Sequence, residues 1–110
     1  MSVNNKVLIE SKDAESVQTT QFTSANARTI IDKFTAVNTT AVALTLSVNM
    51  VVLAGAVSAA NLVVKAKSIA PNETYTFPEI VGHYLMPGGF LSTIASATGL
   101  TIRSSGREVT

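Results

Sequence analysis

The stretch that most constrains the fold is Ala41–Leu53, AVALTLSVNMVVL. Val42, Leu44, Leu46, Val48, Met50 and Val52 fall on one side of a period-two ladder; Ala43, Thr45, Ser47 and Asn49 fall on the other. Successive side chains of a strand point to opposite faces, so the pattern predicts a strand with one buried face and one small, mildly polar face. Burying six such side chains is worth roughly 9–18 kcal/mol gross, at about 1.5–3 kcal/mol each. That is an upper bound, because unfolded chains are already partly compact.

The flanking sequence repeats the theme in shorter pieces. Lys6–Ser11 reads as a short strand, and Ser16–Thr23 as an edge strand with a polar face. Thr29–Val37 reads as a second long strand. Its best core candidates, Ile31 and Phe34, have opposite parity, which predicts a bulge or burial on two different faces. Asn38-Thr39-Thr40 turns the chain into Ala41–Leu53. Ala54–Asn61 is a loop of small residues that can hold a helical turn. Asn61–Ile69 places Leu62, Val64 and Ala66 inward with Lys65 and Lys67 outward, and Thr74–Phe77 is a short strand. Pro78–Gly82 fits one helical turn, with proline at its start and glycine at its end. Pro87-Gly88-Gly89 is the sharpest turn, followed by a strand over Phe90–Ala95. Leu100–Ser104 closes the chain with Leu100 and Ile102 inward, and Ser105-Gly106 ends it. About eight short strands with turn signals every 8–12 residues predict an all-β, antiparallel β-sandwich with Greek-key or jelly-roll-like connections. The expected core is Val42, Leu44, Leu46, Val48, Met50, Leu62, Val64, Leu100 and Ile102.

At 110 residues this is one domain, 1–110, with 1–5 and 105–110 expected as terminal extensions. Charged residues make up 14%, well below the usual quarter, while hydrophobic residues reach 46%. Low charge with many small apolar residues suggests a surface partly covered by other subunits. The net charge of +1 provides no electrostatic footprint for nucleic acid or anionic lipid. There is no cysteine, hence no disulfide and no thiolate metal site. The segment MSVNNKVLIESKD carries no apolar run long enough for a signal peptide. Thr45, Ser47, Asn49 and Ser58 interrupt the apolar run Ala41–Ala60, the first three on a period of two, against a membrane helix.

No constellation in the chain spells out chemistry. His83 is the only histidine, and a zinc or triad site would need carboxylates and hydroxyls to supply everything else; it reads as a packing or hydrogen-bonding residue. Asp32, Glu73 and Glu79 lie near turns, but no spacing pairs two of them for glycoside hydrolysis. Asp32 and Lys33 are placed to pair across their strand, and Glu79 to complement the start of a helical turn. Asn38-Thr39-Thr40 and Asn72-Glu73-Thr74 match the glycosylation pattern but read as turn asparagines. Arg103, Arg107 and Glu108 form a charged C-terminal cluster that reads either as a polar contact to a neighbouring subunit or as a solvated tail. Tyr75 and Phe77, with Tyr84 and Phe90 nearby, read as core with one amphipathic rim residue. The alternative is an aromatic platform for single-stranded nucleic acid or for sugar, with Tyr75, Tyr84 and Phe90 as the rim of a carbohydrate site. No catalytic, cofactor-binding or metal residue is assigned, and the chain is expected not to be an enzyme.

Four segments together resemble a group of small β-sandwich proteins encoded among the virion genes of tailed bacteriophages. They are the Ile-Asp-x-Phe-x-x-x-Asn-Thr segment at Ile31–Thr39, Ala-x-x-Glu-Thr-Tyr-Thr-x-Pro-Glu at Ala70–Glu79, Leu-x-Pro-Gly-Gly at Leu85–Gly89 and Arg-x-Ser-Gly-Arg-Glu at Arg103–Glu108. The likeness covers roughly residues 29–110 and rests on the order and spacing of these pieces. It implies an accessory structural protein that decorates or cements the capsid or forms part of the neck or tail. The implied partners are further copies of itself, as a trimer or ring, and other virion proteins such as the major capsid or connector protein. The implied location is the virion, after synthesis in the host cytoplasm. A carbohydrate-binding or host-adhesion module is the alternative expectation.

Overall fold

The computed structural model describes residues 2–110. Among the described residues there are nine strands: β1 (Val3–Asp13), β2 (Thr19–Thr23), β3 (Arg28–Asn38), β4 (Leu44–Val51), β5 (Leu62–Ile69), β6 (Thr74–Tyr75), β7 (Tyr84–Leu85), β8 (Phe90–Ala95) and β9 (Leu100–Val109). All pairings are antiparallel. One sheet runs β1-β9-β3-β6, with β7 also on the edge of β3; the other runs β2-β8-β4-β5. This is the jelly-roll order. The chain folds back once between β4 and β5. It thereby forms a long ribbon in which β4 pairs with β5, β3 with β6 and β7, β2 with β8 and β1 with β9. Wrapping that ribbon adds the β9–β3 and β8–β4 pairings and gives an elongated body of 46 × 27 × 19 Å.

The long alternating stretch becomes β4, an inner strand of its sheet, and Leu44, Leu46 and Val48 are buried as expected. The strand is shorter than its sequence pattern. Val42 lies before it and is 62% exposed; Val52 lies beyond it and is 71% exposed. Met50 keeps the inward parity but is only half-buried, packed at the margin of the core. On the opposite face Asn49 and Val51 are buried instead, because the β4–β5 connection folds back over them. The Asn49 amide donates to the Ser58 carbonyl at 2.9 Å and to Asn61 Oδ1 at 2.6 Å, and Gly55 packs against Val51. The small-residue loop does contain a helical turn, a 3-10 turn at Ala59–Asn61 capped by Ser58.

On β3, Ile31 and Phe34 are both fully buried, and the pairing with β9 shifts between Ile31 and Lys33. A bulge at Asp32 therefore reconciles their opposite parity, one of the two solutions anticipated. The bulge presses the Ile30 carbonyl against Gly106, where a Cβ would collide with it. Gly106 thus sits mid-strand because of a close backbone approach, not because the chain turns. This corrects the expected ending at Ser105-Gly106: β9 continues to Val109. Residues 3–5 and 105–109 are likewise paired strand, not terminal extensions.

The β5 pattern also departs from simple alternation. Val64 and Ile69 are buried, Leu62 is half-buried, and Ala66 is exposed, not inward. Opposite Ser47 the strand bulges; Ala66 takes φ +48° and its N–H donates to Ser47 Oγ at 2.8 Å. The segment after β6 carries Phe77 at φ +44°, outside the strand, with its ring fully buried. A bulky residue in that region costs of order 1–3 kcal/mol, which burial of the ring offsets. Pro78–Gly82 forms the expected turn, with Val81 N–H donating to the Phe77 carbonyl and Gly82 at φ +93°.

Asn38 proves to be more than a turn residue. Fully buried at the end of β3, its amide donates to the carbonyls of Val42 (2.8 Å) and Ile69 (2.9 Å). Its side-chain oxygen accepts from Thr40 N–H (2.9 Å) and Thr40 Oγ1 (2.7 Å). One amide thereby ties the ends of β3 and β5 to the approach to β4. Asn38→Ala should cost about 1–3 kcal/mol for the loss of these side-chain hydrogen bonds at a buried position. Urea unfolding should show a lower midpoint with an unchanged slope. Asn72, at φ +63°, is the turn asparagine expected.

Candidate interaction surfaces

The three charged residues singled out near the C-terminus all lie on β9, flanked by β1 and β3. Arg103 Nη1 donates to Glu10 Oε1 at 3.2 Å on β1. Arg107 clasps the Asp32 carboxylate on β3 through Nε (3.0 Å to Oδ2) and Nη2 (3.1 Å to Oδ1). Glu108 accepts from Lys6 Nζ at 3.2 Å. Asp32 therefore pairs across its strand with Arg107, a contact that holds the guanidinium still more firmly protonated. Solvent screens such exposed pairs, so each contributes little to stability. These charges are matched within the chain, so the cluster presents a neutralised face.

The aromatic candidates do not converge. Tyr75 pairs with Ala36 and Tyr84 with Ile30, so they sit toward opposite ends of β3, about 20 Å apart along the strand. Phe90 belongs to the other sheet, opposite Val51. Phe77 is core, edge-to-face with Phe34 (5.0 Å) and Tyr75 (4.7 Å). The Tyr75 hydroxyl donates to Glu79 Oε2 at 2.7 Å, which lowers the Glu79 pKa and raises that of Tyr75, and Lys67 Nζ lies 4.4 Å above the Tyr75 ring. His83 is exposed, and its carbonyl accepts from Ile31 N–H. Among the described residues, no group of three or more His, Asp or Glu is placed to share a metal ion.

The largest unanticipated feature is an apolar end of the sandwich. Val52 (71% exposed), Leu53 (70%), Tyr84 (55%) and Met86 (56%) all lie there. Val52, Tyr84 and Met86 line one cleft of about 100 Å³ with Met50, Leu85 and Gly89. Leu53 rests on Gly88, whose φ of +86° permits the Met86–Gly89 turn and whose missing Cβ leaves room for the leucine. The Gly88 N–H donates to the Ser24 carbonyl at 2.6 Å, fastening this turn to the β2–β3 connection. The Arg28 guanidinium lies 5.7 Å over the Tyr84 ring. Alternation hides this surface by drawing Val52 into the core; the signal for it is the break in alternation at Met50-Val51-Val52-Leu53.

No family model, curated protein or solved structure matches the chain.

Proposed function

We propose that this chain is a non-enzymatic structural subunit of a tailed-bacteriophage particle, decorating or cementing the capsid or forming part of the neck or tail. The observation that carries the reading is the apolar end: four large apolar side chains, each more than half exposed, are gathered around one fixed turn. Contiguous apolar surface on a small rigid domain marks a contact site for another macromolecule. The low charge of the chain and the resemblance in residues 29–110 support the same reading. The jelly roll itself does not discriminate, since it hosts capsid and lectin domains alike.

The test is native mass by light scattering across a concentration series, for the natural chain and for Leu53→Asp. Assembly into three or more copies, lost in Leu53→Asp, is expected. A trimer would favour capsid decoration and a six- or twelve-fold ring the neck or tail, because self-assembling subunits close symmetrically. Identical monomeric behaviour of both proteins at every concentration would overturn the apolar end as an assembly surface.

A further inference from the structure

The sandwich has several strand edges, and all but one stretch carry a device against pairing with another chain. β2 is five residues long, and β6 and β7 two residues each. β5 bears Lys65 and Lys67 and is bent by the bulge at Ala66. The second half of β1 is interrupted by register shifts between Val7 and Ile9 and between Ile9 and Lys12, and it carries Glu10, Lys12 and Asp13. Short strands, charges and bulges are the usual protections of an edge. Val3–Val7 has none of the structural ones. Its register with β9 is continuous, and all five residues are exposed. Its single charge, Lys6, is matched by Glu108 and lies 5.5 Å over the Phe22 ring of the facing sheet.

The hydrogen-bond phase of this stretch can be read from its end. Ser2 and Thr110 exchange both backbone hydrogen bonds, at 3.1 and 2.9 Å. Antiparallel pairs alternate between bonded and non-bonded, so Asn4↔Glu108 and Lys6↔Gly106 bond to β9, while Val3, Asn5 and Val7 do not. The N–H and C=O groups of Val3, Asn5 and Val7 therefore point out of the open edge. An antiparallel two-fold centred on Asn5 places Asn5 opposite its own copy and Val3 opposite Val7. Each of these pairs joins two outward-facing residues, so every open backbone group finds a partner, about six hydrogen bonds in all. On the outer face the valines, 53% and 39% exposed, then lie directly across from each other in Val3–Val7 pairs. The pairing brings no unmatched charge together, because each Lys6 retains its Glu108.

We propose that Val3–Val7 is the seam of an isologous dimer in which two five-stranded sheets continue into one through antiparallel β1–β1 pairing about Asn5. The occupant is a second copy of this chain, since the fit is one of the strand with itself. A five-residue seam falls short of the roughly 800 Å² per partner of a standard interface, so the dimer dissociates on dilution. The inference uses neither the apolar end nor the phage resemblance, and it stands apart from the function proposed above.

Because the chain has no cysteine, single-cysteine variants report on the register directly. A bonded pair spaces its Cα atoms at about 5.5 Å, within the disulfide range of roughly 4.4–6.8 Å. Asn5→Cys should form a disulfide-linked dimer under mild oxidation. Val3→Cys and Val7→Cys should each fail alone, with like residues about 14 Å apart along the seam, yet cross-link when mixed. Asn5→Pro removes an N–H that faces solvent in the monomer, so it should leave the Tm close to that of the natural chain while abolishing concentration-dependent dimerisation. Failure of Asn5→Cys and of the Val3→Cys with Val7→Cys mixture to cross-link would overturn the seam. So would equal cross-linking of Val3→Cys alone. If assembly remains sensitive to Leu53→Asp but indifferent to Asn5→Pro, the seam falls and the apolar end stands; the converse pattern removes the apolar end and keeps the seam.

Discussion

Phe34→Ala should lower the unfolding free energy by about 3–5 kcal/mol, the range for deleting a large buried aromatic ring. Phe34 is fully buried on β3 beside the Asp32 bulge. Its ring meets Phe77 edge-to-face at 5.0 Å, and Phe77 in turn meets Tyr75 at 4.7 Å. Such pairs contribute about 0.5–1.5 kcal/mol beyond the area they bury. The loss extends past the cavity, because Phe77 occupies a positive-φ position that only tight ring packing compensates. Urea unfolding of Phe34→Ala and Phe34→Leu measures this. The leucine variant should recover a large part of the loss by refilling the volume. A cost near zero for Phe34→Ala would show that the ring does not lie between the sheets.

The second large effect is a contrast within the alternating stretch. Leu46→Ala should cost about 2–5 kcal/mol, since Leu46 is fully buried on an inner strand. Val42→Ala, on the same side of the period-two ladder, should change stability by no more than about 0.5 kcal/mol, because Val42 precedes β4 and is 62% exposed. Equal costs at the two positions would mean that the strand extends back through Val42. A negligible cost at Leu46 would mean that the inward parity is reversed.

That contrast shows where a sequence pattern ceases to carry information. Alternation identifies the inward face of a strand wherever one face is buried, and Leu44, Leu46, Val48, Leu100 and Ile102 follow it. It does not mark where pairing stops, so Val42 and Val52 look equivalent to Leu46 although they lie beyond the strand ends. Nor does it reveal burial from the other side, as with Asn49 and Val51 beneath the β4–β5 connection. The Ile31–Phe34 parity conflict was legible as an irregularity because a local rule was broken, and the register with β9 showed it to be a bulge. The glycine at 106 was legible only as a turn, because its reason is a carbonyl on another strand.

The candidate sites divide in the same way. The residue types of the β9 cluster were evident, but their partners Glu10, Asp32 and Lys6 lie far away in sequence and are set by strand register. Tyr75, Tyr84 and Phe90 are close enough in the chain to suggest one rim. The wrapping of the ribbon carries them to separate places.

Periodicity, turn residues and composition by themselves determined an all-β sandwich, the inward parity of its central strands and the irregularity of β3, because these follow from local backbone preference and one buried face. Only the tertiary structure decided the jelly-roll order, the apolar end, the internal pairing of the charges and the open phase of the β1 edge. Each of these depends on which distant strands come together, and the register between two strands is a property of the pair, not of either sequence alone.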